Sequence, residues 1–190
     1  MTRGRLEAFS DGVIAILITI MVLELRVPRG ADLSSLRPLL PVFLSYVLSF
    51  IFLGIYWSNH HHMLHTVERV NGRMLWANLH LLFWLSLVPF VTAWMGKTGA
   101  APLPTAVYGV VLIFAAVAYT ILQGVIIAAQ GPGSKLKAAV KDDAKGKISI
   151  AAYALAIPLA FLDRRVSIAL YVIVALMWLV PDRRIESKID

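Results

Sequence analysis

Two clusters of polar and ionisable side chains interrupt an otherwise apolar sequence. The first is Arg5-Leu6-Glu7-Ala8-Phe9-Ser10-Asp11-Gly12. An ionisable group in a membrane-spanning helix costs about 2.5–3.5 kcal/mol at the bilayer centre, and it persists where it faces protein or a water path. Two readings of this segment are open. In one, Ser10 or Asp11 is the N-cap of a helix beginning at Gly12, with the carboxylate favoured by the helix dipole. In the other, Asp11 lies inside a longer helix and is tied into the protein interior. The cap reading leaves residues 13–23 too short to cross a bilayer alone.

The second cluster is Trp57-Ser58-Asn59-His60-His61-His62, with His65 beyond. Three adjacent His invite a metal reading, but successive residues of a helix point in different directions. His61 and His65 share a face, yet no acidic ligand accompanies them at a recognisable spacing, so no metal site is assigned. Trp and His at the membrane interface are the plainer reading. A third reading has one His satisfying a buried carboxylate such as Asp11, with Asn78 and His80 joining the network. Interhelical polar bonds of this kind contribute about 0.6–2 kcal/mol each.

Beyond Asp11, the residues Gly12, Ile16, Thr19, Ile20 and Leu23 recur at helical spacing and share one narrow face. Turned toward a shared axis, the three large apolar residues would stack as rings and Thr19 would add a ring of hydroxyls. Apolar constrictions gate ions by dewetting. From pattern alone, ordinary helix packing is the favoured reading of the same stripe.

Catalytic signatures are missing. The sequence has no P-loop, GxSxG, HExxH or dinucleotide fingerprint, and Gly96-Lys97-Thr98 lacks the upstream glycine of a phosphate-binding loop. With 0 Cys, disulfide and thiol chemistry are excluded. No catalytic residue and no cofactor is assigned.

The elements that must position these residues are membrane helices. Of the 190 residues 59% are hydrophobic and only 15% charged, against about a quarter charged in soluble domains. The charges fall between long apolar runs. A span needs about 20 mostly apolar residues, and six are expected, over about 5–25, 39–57, 74–94, 105–129, 148–162 and 166–180. The fold class is therefore all-α, one six-helix transmembrane domain over residues 1–190. Pro38 and Pro41 suit the start of the second helix, Pro89 falls near the end of the third, and Gly131-Pro132-Gly133 stops the fourth. The last two spans form a hairpin around Asp163-Arg164-Arg165. The first span reads as a retained helix rather than a cleaved signal, since Glu24-Leu25-Arg26 stands where a small-residue cleavage site would.

With six spans and a cytoplasmic N-terminus, Arg3, Arg5, Arg69, Arg73, Lys135, Lys137, Lys141, Lys145, Lys147, Arg183, Arg184 and Lys188 lie inside. Only Arg26, Arg29, Arg37, Lys97, Arg164 and Arg165 lie outside. That bias favours both termini inside. The basic loop from Lys135 to Lys147 meets anionic lipid headgroups, which accounts for the net charge of +7 without nucleic acid as a partner. No internal repeat of the first-helix pattern is present, so a pore on a symmetry axis needs several chains.

Arg5-x-x-x-Phe9-Ser10-Asp11 resembles the RxxxFSD signature of the transmembrane protein 175 family, endosomal and lysosomal potassium channels with prokaryotic relatives. Trp57-x-x-His60 at the end of the second helix is similar to that family too, as is the third helix with Asn78 and Leu87-Val88-Pro89. The resemblance covers nearly the whole chain, with its specific motifs in residues 5–90. It implies first helices lining a central pore. It also implies a homotetramer of single six-helix units of the prokaryotic kind, in a plasma membrane, where animal members carry two units and dimerise. Ile16 would be the narrowest apolar ring, with Ile20 and Leu23 beyond it and Thr19 a pore-facing hydroxyl. Arg5, Ser10 and Asp11, with Trp57, His60 and Asn78, would form the buried polar network holding the pore helix, Phe9 completing the motif. The permeant ion implied is potassium, without the TVGYG filter, so discrimination must come from pore width, dehydration and hydroxyls. The alternative is a proton-coupled secondary transporter with an Asp11–His60 relay; a metal-dependent membrane enzyme ranks last. The His60–His62 run leaves pH sensing open.

Overall fold

The computed structural model describes residues 2–140 and 143–179. Val180, the expected end of the sixth span, and the basic residues Lys141, Arg183, Arg184 and Lys188 lie outside the described residues. Among the described residues all regular structure is helical: α1 (Arg3–Val22), α2 (Leu40–His65), α3 (Gly72–Ser86), α4 (Val88–Lys97), α5 (Pro102–Gln130), α6 (Lys135–Ala139), α7 (Ala144–Leu162) and α8 (Arg164–Leu179). A 3₁₀ turn over Leu33–Leu39 leads into α2, and another over Gly131–Gly133 follows α5.

Local chemistry explains the boundaries. Pro41 sits in the first turn of α2, where a missing N–H does no harm. The Asn71 side chain caps α3 by accepting from the Met74 amide at 2.9 Å. Asp143 caps α7 through the Gly146 amide at 2.9 Å. Asp163 alone separates α7 from α8 and accepts from the Arg165 amide at 2.9 Å, so the tight basic hairpin forms as expected. Gly131 ends α5 with a φ of +71°, a conformation open to glycine at little steric cost.

Among the described residues, four stretches are long and apolar enough to cross a membrane: Leu33–His65, Gly72–Lys97, Pro102–Gly133 and Ala144–Leu162. The protein is an integral membrane protein. Two expected spans do not reach that standard. The 20 residues of α1 measure about 30 Å, but its first three turns carry Arg3, Arg5, Glu7 and Asp11. The described part of α8 has 16 residues, about 24 Å at 1.5 Å per residue. The expected third span is two helices, α3 and α4, meeting at Leu87. Pro89 cannot donate to the Leu85 carbonyl, and its ring crowds that carbonyl. The second helix runs on past Trp57 to His65, so the His run is helical.

The core forms around α5, which packs against α3, α4 and α7, while α2 packs on α4 and α8 closes on α7. Its polar groups satisfy one another: Ser49 Oγ lies 2.6 Å from Thr92 Oγ1 and 2.9 Å from the Tyr108 hydroxyl. The Tyr171 hydroxyl donates to the Thr105 carbonyl at 3.0 Å. A Cβ on Gly96 would stand 2.8 Å from the Val42 Cα, so glycine lets the α2 and α4 backbones meet closely, as small residues do between membrane helices. Helix α1 lies at the side of this core, against α2, α3 and α4.

Candidate functional site

Helix α1 has two unlike faces. Leu6, Ser10, Ile14, Leu17 and Met21 are buried and recur every three or four residues, one stripe of a 3.6-residue helix. The opposite side carries Gly12, Ile16, Thr19, Ile20 and, one residue past the helix end, Leu23, all exposed. Ile14 is 1% exposed and Ile16 57%. Two residues at 100° each place their side chains on opposite sides. The Thr19 hydroxyl donates to the Ile16 carbonyl at 2.9 Å, which uses its proton and leaves its lone pairs free to face outward.

The first half of the buried stripe is fixed by a directed chain of hydrogen bonds. Ser10 Oγ donates to the Leu6 carbonyl at 2.9 Å, and Asn78 Nδ2 donates to Ser10 Oγ at 2.9 Å. Asn78 Oδ1 lies 2.7 Å from His60 Nε2. Because the amide N is committed to Ser10, Oδ1 is the acceptor and His60 Nε2 carries the proton. Ser10, His60 and Asn78 are fully buried. Beside this chain, at the partly exposed edge of α1, Trp57 Nε1 donates to Asp11 Oδ1 at 3.0 Å. At the other end of α1, Lys97 Nζ pairs with Glu24 Oε2.

These contacts sort the residues singled out from the sequence. Neither Ser10 nor Asp11 caps a helix: α1 is continuous from Arg3, with Thr2 at its N-cap. Ser10, His60 and Asn78 come together in one interior network, and Asp11 meets Trp57. Arg5 and Phe9 stand outside it. Both are exposed, because their spacing to Gly12 and Ile16 puts them on the outward stripe. His80 does not join either; it is exposed and accepts from Trp84 Nε1 at 3.0 Å, since two residues from Asn78 is the far side of α3. Asp11 and His60 have separate partners and make no hydrogen bond with each other, so the relay has no direct link.

Sequence reading missed Glu7. It projects from α1 toward the last turns of α2, where His61 Nδ1 lies 2.9 Å from its Oε1. Arg3 is near its other oxygen at 4.0 Å and donates to the His65 carbonyl at 3.1 Å. The only signal available was Glu7 lying one turn from Arg3 and Asp11; its α2 partners are 54 and more residues away in the chain.

Fold and site together define an all-helical membrane protein whose first helix is pinned on one face and bare on the other. The comparisons name its kind. The model of the endosomal/lysosomal potassium channel TMEM175 family matches residues 5–89. A potassium channel of Chryseobacterium sp. (strain P1-3) is 57% identical over 189 residues, covering 100% of this chain and 98% of that one. A potassium channel of Streptomyces collinus is 37% identical over 127 residues, 63% of this chain and 62% of that one. The crystal structure of a lysosomal potassium-selective channel TMEM175 homolog from Chamaesiphon minutus superposes with a TM-score of 0.81 at 28% identity, covering 94% of this chain and 96% of that one. The chain belongs to the TMEM175 family, a family of ion channels and not of enzymes.

Proposed function

We propose that this chain is one subunit of a potassium-permeable cation channel without a TVGYG filter, four copies of which enclose a pore lined by α1. Ile16 forms the narrowest apolar ring, Ile20 and Leu23 stack beyond it, and Thr19 contributes hydroxyl oxygens. Each subunit is a single domain with six spans: α1, α2, the α3–α4 pair, α5, α7 and α8. Both termini are cytoplasmic, in a prokaryotic plasma membrane, and the basic segment after α5 meets anionic lipid. Ser10, Asp11, Trp57, His60 and Asn78 hold the pore helix, while Arg5 and Phe9 stand on its outward side at one mouth.

One observation carries this reading: the stripe from Gly12 to Leu23 turns away from the subunit's own core while the opposite face of α1 is packed. The stripe needs a cover from outside its own subunit, and the α1 helices of neighbouring copies gathered on a shared axis give it one, with Arg5 at the aqueous mouth. Thr19, its proton held by its own backbone, presents acceptor oxygen to a cation that has shed water. An apolar ring opposes wetting, so making it polar should open the conduit.

The test is Ile16→Asn in proteoliposomes, with fluxes driven by potassium or sodium gradients. The variant is expected to conduct more, or to discriminate less, than wild type. Fluxes identical to wild type in both salts overturn the assignment of the constriction.

A further inference from the structure

The last turns of α2 and the first turns of α1 bring together three donor groups that the pore reading leaves unused. Glu7, His61 and His65 present ligand atoms that all lie within 4.8 Å of one another. His61 and His65 are four residues apart on one helix, the spacing that lets two imidazoles share a target, and their rings stand 4.8 Å apart, edge to face. The carboxylate arrives from the other helix.

Glu7 Oε1 is buried and meets His61 Nδ1 at 2.9 Å. When no proton lies between them, a carboxylate oxygen and a ring nitrogen both offer electron pairs, and a metal cation can take the proton's place. Arg3 does not fill that role: its guanidinium reaches only 4.0 Å from the other carboxylate oxygen and is committed to the His65 carbonyl.

We propose that Glu7, His61 and His65 bind a divalent transition-metal ion of the zinc class, and that the ion clamps the head of α1 to the end of α2. Two imidazoles and a carboxylate suit zinc rather than magnesium or calcium, which prefer oxygen-only sets. Zinc takes such ligands at about 2.0–2.2 Å in a tetrahedron, so two of them stand about 3.3–3.6 Å apart around one ion. Side-chain rotations that move donor atoms by about an ångström close the trio onto it, with the remaining position left to water. His65 is exposed, which gives the ion an aqueous path. The proposal is independent of whether α1 lines a pore.

The test is isothermal titration of zinc chloride into the full chain, purified in detergent without a polyhistidine tag, with and without excess magnesium. Saturation at one zinc per chain is expected, undisturbed by magnesium, together with a rise in unfolding temperature. His65→Ala, a surface change that leaves folding intact, and Glu7→Gln should each weaken binding by about ten- to hundredfold or more, since losing a ligand exceeds the usual loss for a ligand's supporting partner. Arg3→Gln should tighten it, by removing a positive charge near the carboxylate. His62→Ala serves as the control and should bind as wild type. No saturable binding to wild type would leave only a Glu7–His61 ion pair and overturn the proposal. Binding unchanged in both His65→Ala and Glu7→Gln would do the same, by placing the zinc elsewhere.

Discussion

The two halves of α1 are held by different physics. From Arg3 to Asp11 the helix is fixed by directional bonds, Ser10 through Asn78 to His60 and Asp11 to Trp57, with the Glu7–His61 ion pair beside them. From Gly12 onward only apolar packing through Ile14, Leu17 and Met21 remains, until Lys97 meets Glu24 at the far end. Packing alone tolerates rotation about the helix axis, because one aliphatic group fills a groove much as another does. Hydrogen bonds do not. The polar half therefore sets the rotation of the whole rod, and the apolar half inherits the direction in which Ile16, Thr19 and Ile20 point.

Removing the polar anchor should break this division most severely. Asn78→Ala strips the His60 N–H of its acceptor and Ser10 of its donor in a buried place, at about 1–3 kcal/mol for each orphaned group. A strongly lowered unfolding midpoint in detergent is expected; an unchanged one would mean that packing alone orients α1. Next in size comes the contrast between Ile14→Ala and Ile16→Ala. The first opens a cavity among packed helices and should cost about 1–3 kcal/mol, below the soluble-core range because lipid supplies no hydrophobic driving force. The second should change stability by less than about 0.5 kcal/mol, as surface substitutions do. Equal losses would put both isoleucines in packed surroundings and erase the difference between the faces.

Trp57→Phe keeps the aromatic ring and removes only the donor to Asp11. Half-exposed, that bond should contribute about 1 kcal/mol, read as a modest drop in the same midpoint. Glu24→Gln is the mildest change. Both partners of the Glu24–Lys97 pair are more than 40% exposed, so a loss of about 0–1 kcal/mol is expected, vanishing in high salt. A larger, salt-insensitive loss would show that the apolar half has a polar anchor of its own.

Much of this division was legible in the sequence. The motif from Arg5 to Asp11 marked α1, and helical spacing separated the outward stripe from the rest. Pairings across helices were not legible. Asp11 found Trp57 rather than a histidine, because the register of α1 against α2 brings position 57 level with position 11, and no local pattern encodes that register. Arg5 and Phe9 were grouped with the network by motif, while their angular position groups them with Ile16. Glu7 was passed over because the two histidines that answer it come from another helix. The interruption at Leu87 was half-visible: Pro89 was read as a late feature of one span, yet proline disrupts the turn before itself.

That interruption lies between the two grips on α1. Asn78, on α3, holds the head of the rod, and Lys97, at the end of α4, holds its tail. The pair α3–α4 thus works like a two-segment arm joined at an elbow, with a hand on each end of a neighbouring stick. Any flexing of the elbow changes the distance between the hands, and the stick must tilt, slide or let go. Leu87 and Pro89 are not among the residues proposed to line the conduit, but they set the mechanical leverage on all of them.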